Sequence, residues 1–219
     1  MRQLRPGLWH WQAPHPEWTP DEPWPQDVSS YAIDDGERLI LIDPQSVPNE
    51  LLELGKDRQP IIVLTVPWHE RATRRLVEGL RAPVYTPRPD TAEDLVRKLG
   101  VTPEQAEGGS PDLAWLFEGG GDAHPYAAGD RLPFGIEAVL GKEPNDLVLW
   151  VEPLGAVVFG DTVVDFGQSL GINPYLRGGV TRDDVIHRLR PLLDRPIELV
   201  LPSHGAPTDR ADFERALAR

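Results

Sequence analysis

IIVLTVPWHERATRRLVEGL, residues 61–80, carries the reading of the whole chain. IIVLT is a short apolar, β-branched run and reads as a buried strand. ERATRRLVEGL puts Leu76, Val77 and Leu80 on one helical face and arginines on the other. Between them, TVPWHERA (Thr65–Ala72) is a sharp turn crowded with His69, Glu70 and Arg71. Such a turn is a metal site, the remnant of one, or an ordinary helix start.

The same alternation extends outward. GLWHWQAP alternates like a strand, and a stiff Pro- and Trp-rich loop occupies residues 14–28. SSYAID and ERLILID follow, separated by Asp35-Gly36, a strong hairpin signal. NELLELG is a short helix stopped by Gly55. VYT is a strand and TAEDLVRKLG a helix with Thr91 as N-cap and Gly100 as stop. Residues 101–128 are the least regular part and read as an inserted surface loop. GIEAVLG, DLVLWVEP and GAVVFGD form three closely paired strands. TRDDVIHRLRPLLD starts with a capping-box pattern, Thr181 to Asp184. IELVLP and a last helix, TDRADFERALAR, complete the order. Strands alternating with helices predict sheets covered by helices on their outer faces.

With 219 residues, 40% hydrophobic and 26% charged, the chain supports one domain with a real core, spanning 1–219. The net charge of -13 and pI ≈ 4.8 disfavour nucleic acid and anionic membranes as partners. Without cysteine, disulfides, thiolate ligands and a Cys nucleophile are excluded. No apolar leader or membrane-length run is visible, so a cytoplasmic protein is expected.

Four strand ends carry polar chemistry: Asp43 after LILI, His69-Glu70-Arg71 after IIVLT, Asp161 in FGDT, and His204 in LPSHG. Together they bring carboxylates and imidazoles to one rim, where they could bind a divalent ion without any thiol. Any one of them alone reads as a cap or a hydrogen-bonded loop residue.

Taken in order, these motifs resemble the metallo-β-lactamase fold superfamily. LIDP (41–44), LTVPWHER (64–71), LGKEP (140–144), FGDT (159–162) and LPSHGAP (201–207) stand where that family has its LIDTG-like, THxHxDH, GHT-like, GDT and PxHG-like motifs. The resemblance implies a four-layer αββα sandwich of two mixed β-sheets flanked by helices, with the site at the sheet edges. It also exposes departures. With Thr65 on the family Thr, Val66 and Trp68 take the first two His positions. Glu70 then takes the Asp position, Arg71 the final His, and Lys142 the GHT-like His. The usual dinuclear centre is not supported.

Besides metal-free chemistry in the pocket with His69 as base, two readings remain open. In one, Glu70, Asp161 and His204 hold a single divalent metal (Zn, Mn or Fe), with His69 as general base or alternative ligand. The protein is then a hydrolase-like enzyme acting on an ester, thioester, lactone or amide. In the other, no metal binds. Arg71 and Lys142 fill the former ligand volume and salt-bridge to the acids, in a pocket with Asp43 and Trp68, leaving a ligand-binding or scaffolding protein. His15 and Trp18 are candidates for a lid over the site. A small-molecule ligand is the expected partner, and an exposed aromatic patch in the N-terminal segment would indicate a homodimer.

Overall fold

The computed structural model describes residues 1–218. The first sheet has seven strands in sequence order: β1 (Arg2–Arg5), β2 (Leu8–Pro14), β3 (Asp27–Asp34), β4 (Arg38–Ile42), β5 (Gln59–Val63), β6 (Val84–Thr86) and β7 (Ala123–Pro125). β1 to β4 pair antiparallel and β4 to β7 parallel. The Asp35-Gly36 turn sets the register of β3 against β4, with Asp34 opposite Leu39. The parallel half needs crossovers, which α1 (Asn49–Leu54), α2 (Thr73–Leu80) and α3 (Ala92–Leu99) supply.

The second sheet is built from β8 (Arg131–Leu132), β9 (Ile136–Leu140), β10 (Leu147–Val151), β11 (Ala156–Phe159) and, after a small β12 (Val163–Val164) and β13 (Gly171–Ile172) ribbon, β14 (Leu199–Pro202). β14 lies parallel to β11, and α4 (Arg182–Leu189) makes the crossover between them. α5 (Arg210–Ala218) ends the described chain. Thr91 and Thr181 cap α3 and α4 through complete capping boxes.

Alternation along the strands decides the layers. In β4, Ile40 and Ile42 face the second sheet, while Leu39 and Leu41 face the helices. In β10, Leu147, Leu149 and Val151 point inward and Val148 and Trp150 point to α4 and α5. Strands with apolar residues on both faces need cover on both. The result is the αββα sandwich, with one apolar layer between the sheets and one under each helical layer.

Residues 101–128 differ from a surface insertion. Leu113 and Leu116 are fully buried against the outer face of the first sheet, and β7 extends that sheet beside β6. The backbone there is irregular, with a π-type turn at Leu116–Gly120, but its side chains belong to the core. No helix among the described residues is long and apolar enough to cross a membrane.

Candidate metal centre

The turn after β5 sets the geometry. Pro67–His69 form a single 3₁₀ turn with Pro67 near its start, and Arg71 takes a left-handed φ of 44° before α2 begins at Thr73. This turn sends His69 inward and Glu70 outward.

Asp43 anchors the floor. It is fully buried, and its carboxylate accepts from the Thr65 N–H (2.9 Å), Thr65 Oγ1 (2.6 Å) and Ser203 Oγ (2.7 Å). The His69 Nδ1–H completes the set at 3.0 Å. Burial alone would raise the Asp43 pKa, but His69, Arg71 and these donors hold it below the ordinary carboxylate value. With Nδ1 engaged by Asp43, Nε2 of His69 faces the site.

Asp161 follows β11, where Gly160 is required. A Cβ at Gly160 would stand 2.5 Å from Thr65 Oγ1, so only glycine lets the two strand ends meet. Oδ2 of Asp161 accepts from the Trp68 indole N–H at 2.7 Å. Oδ1 has no hydrogen-bond partner and lies 3.3 Å from His69 Nε2 and 3.4 Å from His204 Nε2. Burial opposes the charge of Asp161, yet the two imidazoles outweigh it and keep the acid well below its ordinary pKa. The His204 pKa is lowered as well: burial, with the His69 and Arg71 charges, outweighs the raising effect of Asp161. For His69, burial and the Arg71 charge favour the neutral ring, but Asp43 and Asp161 on its two sides prevail and the pKa is raised.

One donor atom from each of His69, Asp161 and His204 lies within 4.8 Å of the other two. The 3.3 and 3.4 Å separations match the edge of a tetrahedron, about 3.3–3.4 Å for ligands 2.0–2.1 Å from a zinc-like centre. The Asp43–His69 contact is the carboxylate–histidine support usual behind a metal ligand. The unpartnered Oδ1 is the atom such an ion would satisfy. These residues therefore fit one divalent cation.

Several sequence expectations are corrected here. Glu70 does not join the site: its carboxylate accepts from Trp115 Nε1 (2.7 Å) and the Leu113 N–H (3.3 Å), pinning the 113–115 segment. His69, rather than Glu70, groups with Asp161 and His204. Arg71 does not fork to an acid. Its Nη1 donates to the carbonyls of Ser29 (3.0 Å) and Asp43 (2.8 Å), and among the described residues it forms no ion pair within 4 Å. Lys142 pairs with Asp146 at 3.8 Å rather than with Asp161. The salt-bridged closure of the site is thus not formed. Trp18 only donates its indole N–H to the Trp24 carbonyl (2.7 Å), and His15 meets Trp24 edge-on. Trp24 is the residue of that loop that reaches the centre, 4.9 Å edge-on to the His204 ring.

A cavity of about 520 Å³ opens beside the centre, with Trp24, Trp68, Phe166, Lys142, Asp161 and His204 in its wall. The rings of Trp24 and Phe166 flank His204 and shield it from solvent.

Glu70→Ala should leave metal uptake unchanged and cost about 1–3 kcal/mol of stability, because it strands two donors that Glu70 satisfies. Denaturant titration together with metal analysis checks both halves.

The pH dependence has two limbs. The raised pKa of His69 means that its contribution to the metal-free fold is full below 6.5 and is lost as pH rises through the higher folded value. Asp43 and Asp161, both depressed, contribute above 3.8 and lose that contribution as pH falls through their folded values. The stability that His69, Asp43 and Asp161 supply to the metal-free fold is thus greatest between 3.8 and 6.5, while His204, whose pKa is lowered, opposes it as pH falls below 6.5. Metal affinity runs opposite to the His69 limb. It should rise about tenfold per pH unit while His69 sheds its proton, with protons released on binding. Unfolding and metal titrations across that range measure both.

Structural comparison identifies the class of fold. An archaeal metallo-β-lactamase superfamily protein from Sulfolobus tokodaii superposes with a TM-score of 0.64 at 16% identity, over 97% of this chain and 85% of its own. The DIM-1 metallo-β-lactamase superposes with a TM-score of 0.63 at 13% identity, over 99% of this chain and 94% of its own. The protein TTHA1623, solved in a di-iron-bound form, is 28% identical over 88% of this chain and 94% of its own, with a TM-score of 0.58. No protein-family model and no curated protein sequence matches the chain. The chain has the metallo-β-lactamase fold.

Proposed function

We propose that this protein is a mononuclear metal-dependent hydrolase of the metallo-β-lactamase fold, with His69, Asp161 and His204 as the metal ligands. The observation that carries this reading is the buried, unpartnered Oδ1 of Asp161, within 3.4 Å of both inward-facing Nε2 atoms. A divalent ion held there supplies a Lewis acid that activates water and polarises an acyl carbonyl. The di-iron form of TTHA1623 is consistent with metal use on this fold.

The chain's own residues do the rest. Asp43 fixes the tautomer of His69, with the proton on Nδ1 and the lone pair on Nε2 toward the centre. Trp68 donates to Oδ2 of Asp161, which orients the carboxylate with Oδ1 toward the two imidazoles. With Val66 and Trp68 in place of imidazoles, the site is built for one ion. Trp24, Trp68 and Phe166 give the cavity an apolar wall that admits the acyl part of an ester, thioester, lactone or amide and keeps bulk water back.

The test is a hydrolysis screen over those four acyl classes with protein reconstituted separately with Zn, Mn and Fe. Metal-dependent turnover that disappears in His204→Ala supports the reading. One equivalent of bound metal with no turnover in any class would leave a metal-containing binding protein instead.

A further inference from the structure

Lys142 lines the cavity but has no part in the triad. It sits in the loop between β9 and β10, and its backbone is fixed on all sides. The Lys142 N–H donates to Thr162 Oγ1 at 2.9 Å. Arg188 Nη1 donates to the carbonyls of Gly141 (3.1 Å) and Lys142 (2.9 Å). Gly141 is required for this packing, because a Cβ there would stand 2.2 Å from Thr162 Oγ1. Thr162 directly follows Asp161, so the lysine is tied to the turn that carries the metal ligand.

Its side chain, by contrast, makes no hydrogen bond among the described residues and only a loose ion pair. It is 7% exposed, and its one ion pair within 4 Å is with Asp146 Oδ2 at 3.8 Å, longer than a hydrogen bond. Nζ makes no hydrogen bond among the described residues. Lys98, equally buried, shows what a structural lysine looks like here: its Nζ meets Asp90 (2.6 Å), Glu143 (2.7 Å) and Asn145 (2.8 Å). Lys98 thereby offsets one of the two negative charges that Asp90 and Glu143 bring to the cavity wall, where Glu22 and Asp112 also stand, with Arg177 as a further cation. With no acceptor among the described residues within hydrogen-bond distance, the Lys142 donors are left to whatever occupies the cavity that the residue lines.

We propose that Lys142 is an anion-binding residue of this cavity. It takes a negatively charged oxygen on a ligand whose flat apolar part rests against Trp24, Trp68 and Phe166. The binding itself needs no metal. Its catalytic consequence rests on the hydrolase reading. There, the oxygen of water bonds to the acyl carbon and the carbonyl π pair moves onto its oxygen. When that pair returns, the bond to the leaving group breaks. An alcohol, thiol or amine departs with a proton from the water, and the acid remains. Lys142 donates to the oxygen on which charge appears, a contact that strengthens in the transition state.

The chain has three lysines, Lys56, Lys98 and Lys142. Protein labelled with ¹³C at lysine Cε therefore gives three signals, and Lys142→Met identifies the third. Phenylphosphonate added to metal-free protein should shift the Lys142 signal saturably and leave the other two in place. Lys142→Met should weaken phenylphosphonate binding more than tenfold by calorimetry, and Lys142→Arg should keep most of it. A Lys142 signal that does not move, or moves no more than that of exposed Lys56, overturns the proposal. Lys142→Arg also lacks that lysine signal, so it assigns the spectra of the unmutated protein even if the Met variant fails to fold. Phosphonate binding at Lys142 in a protein that takes up no metal would uphold the anion site and sink the hydrolase reading. Metal uptake with an unmoved Lys142 signal would do the reverse.

Discussion

Asp43→Ala is expected to lower the stability of the fold by about 3–5 kcal/mol, the cost typical of breaking a fully buried charged network. Four donors lose their acceptor at once: the Thr65 N–H, Thr65 Oγ1, Ser203 Oγ and His69 Nδ1. They come from the segments just after β5 and β14 and from the 3₁₀ turn, so one carboxylate ties the ends of both sheets together. Asp43 also holds a left-handed φ of 45°, which alanine tolerates less well than aspartate. Asp43→Asn should be milder, since it keeps acceptor capacity for some of these donors. It should still weaken metal binding about 10–100-fold by releasing His69, the usual cost of losing support behind a ligand. Equilibrium denaturation and metal titration of the two variants separate the structural from the supporting role.

The second large effect concerns the proposed ligands themselves. Asp161→Asn removes the charge that both imidazoles face. It should reduce metal affinity by at least about 10²-fold, because a neutral amide is a far poorer ligand than a carboxylate. Removing that charge also takes away one of the two acids that raise the His69 pKa, so that pKa should fall. NMR titration of the imidazole signals in metal-free protein reads this second effect directly. An unchanged His69 titration in Asp161→Asn would show that Asp161 does not control the histidine.

Most of the fold and part of the site are legible in the sequence. LILID and VVFGD read as buried strands ending in acid, because apolar residues on both faces demand cover on both. The Asp35-Gly36 turn and the Thr91 and Thr181 capping boxes carry their geometry in a few residues. Asp161 and His204 stand at strand ends, where the sheet itself aims them.

The exchange of Glu70 for His69 is not legible by counting. A motif spacing assumes a fixed turn, and Pro67 with the left-handed Arg71 rotates this one. The choice of Trp24 over Trp18 depends on how the proline-rich loop folds back, with Trp18 spending its indole on the Trp24 carbonyl. β7, Ala123–Pro125, is three residues long with a proline, and offers no alternation to read. The backbone role of Arg71 was equally hidden, since nothing in a sequence distinguishes a guanidinium that pairs with acids from one that binds carbonyls.

Diffraction data collected across the absorption edges of zinc, iron and manganese, from crystals grown without chelator, test the metal centre most directly. One anomalous peak is expected, bounded by His69 Nε2, Asp161 Oδ1 and His204 Nε2, with Glu70 remote from it. Two peaks, a peak coordinated by Glu70, or metal-supplemented crystals with no peak between those three atoms would contradict a mononuclear centre built on this triad.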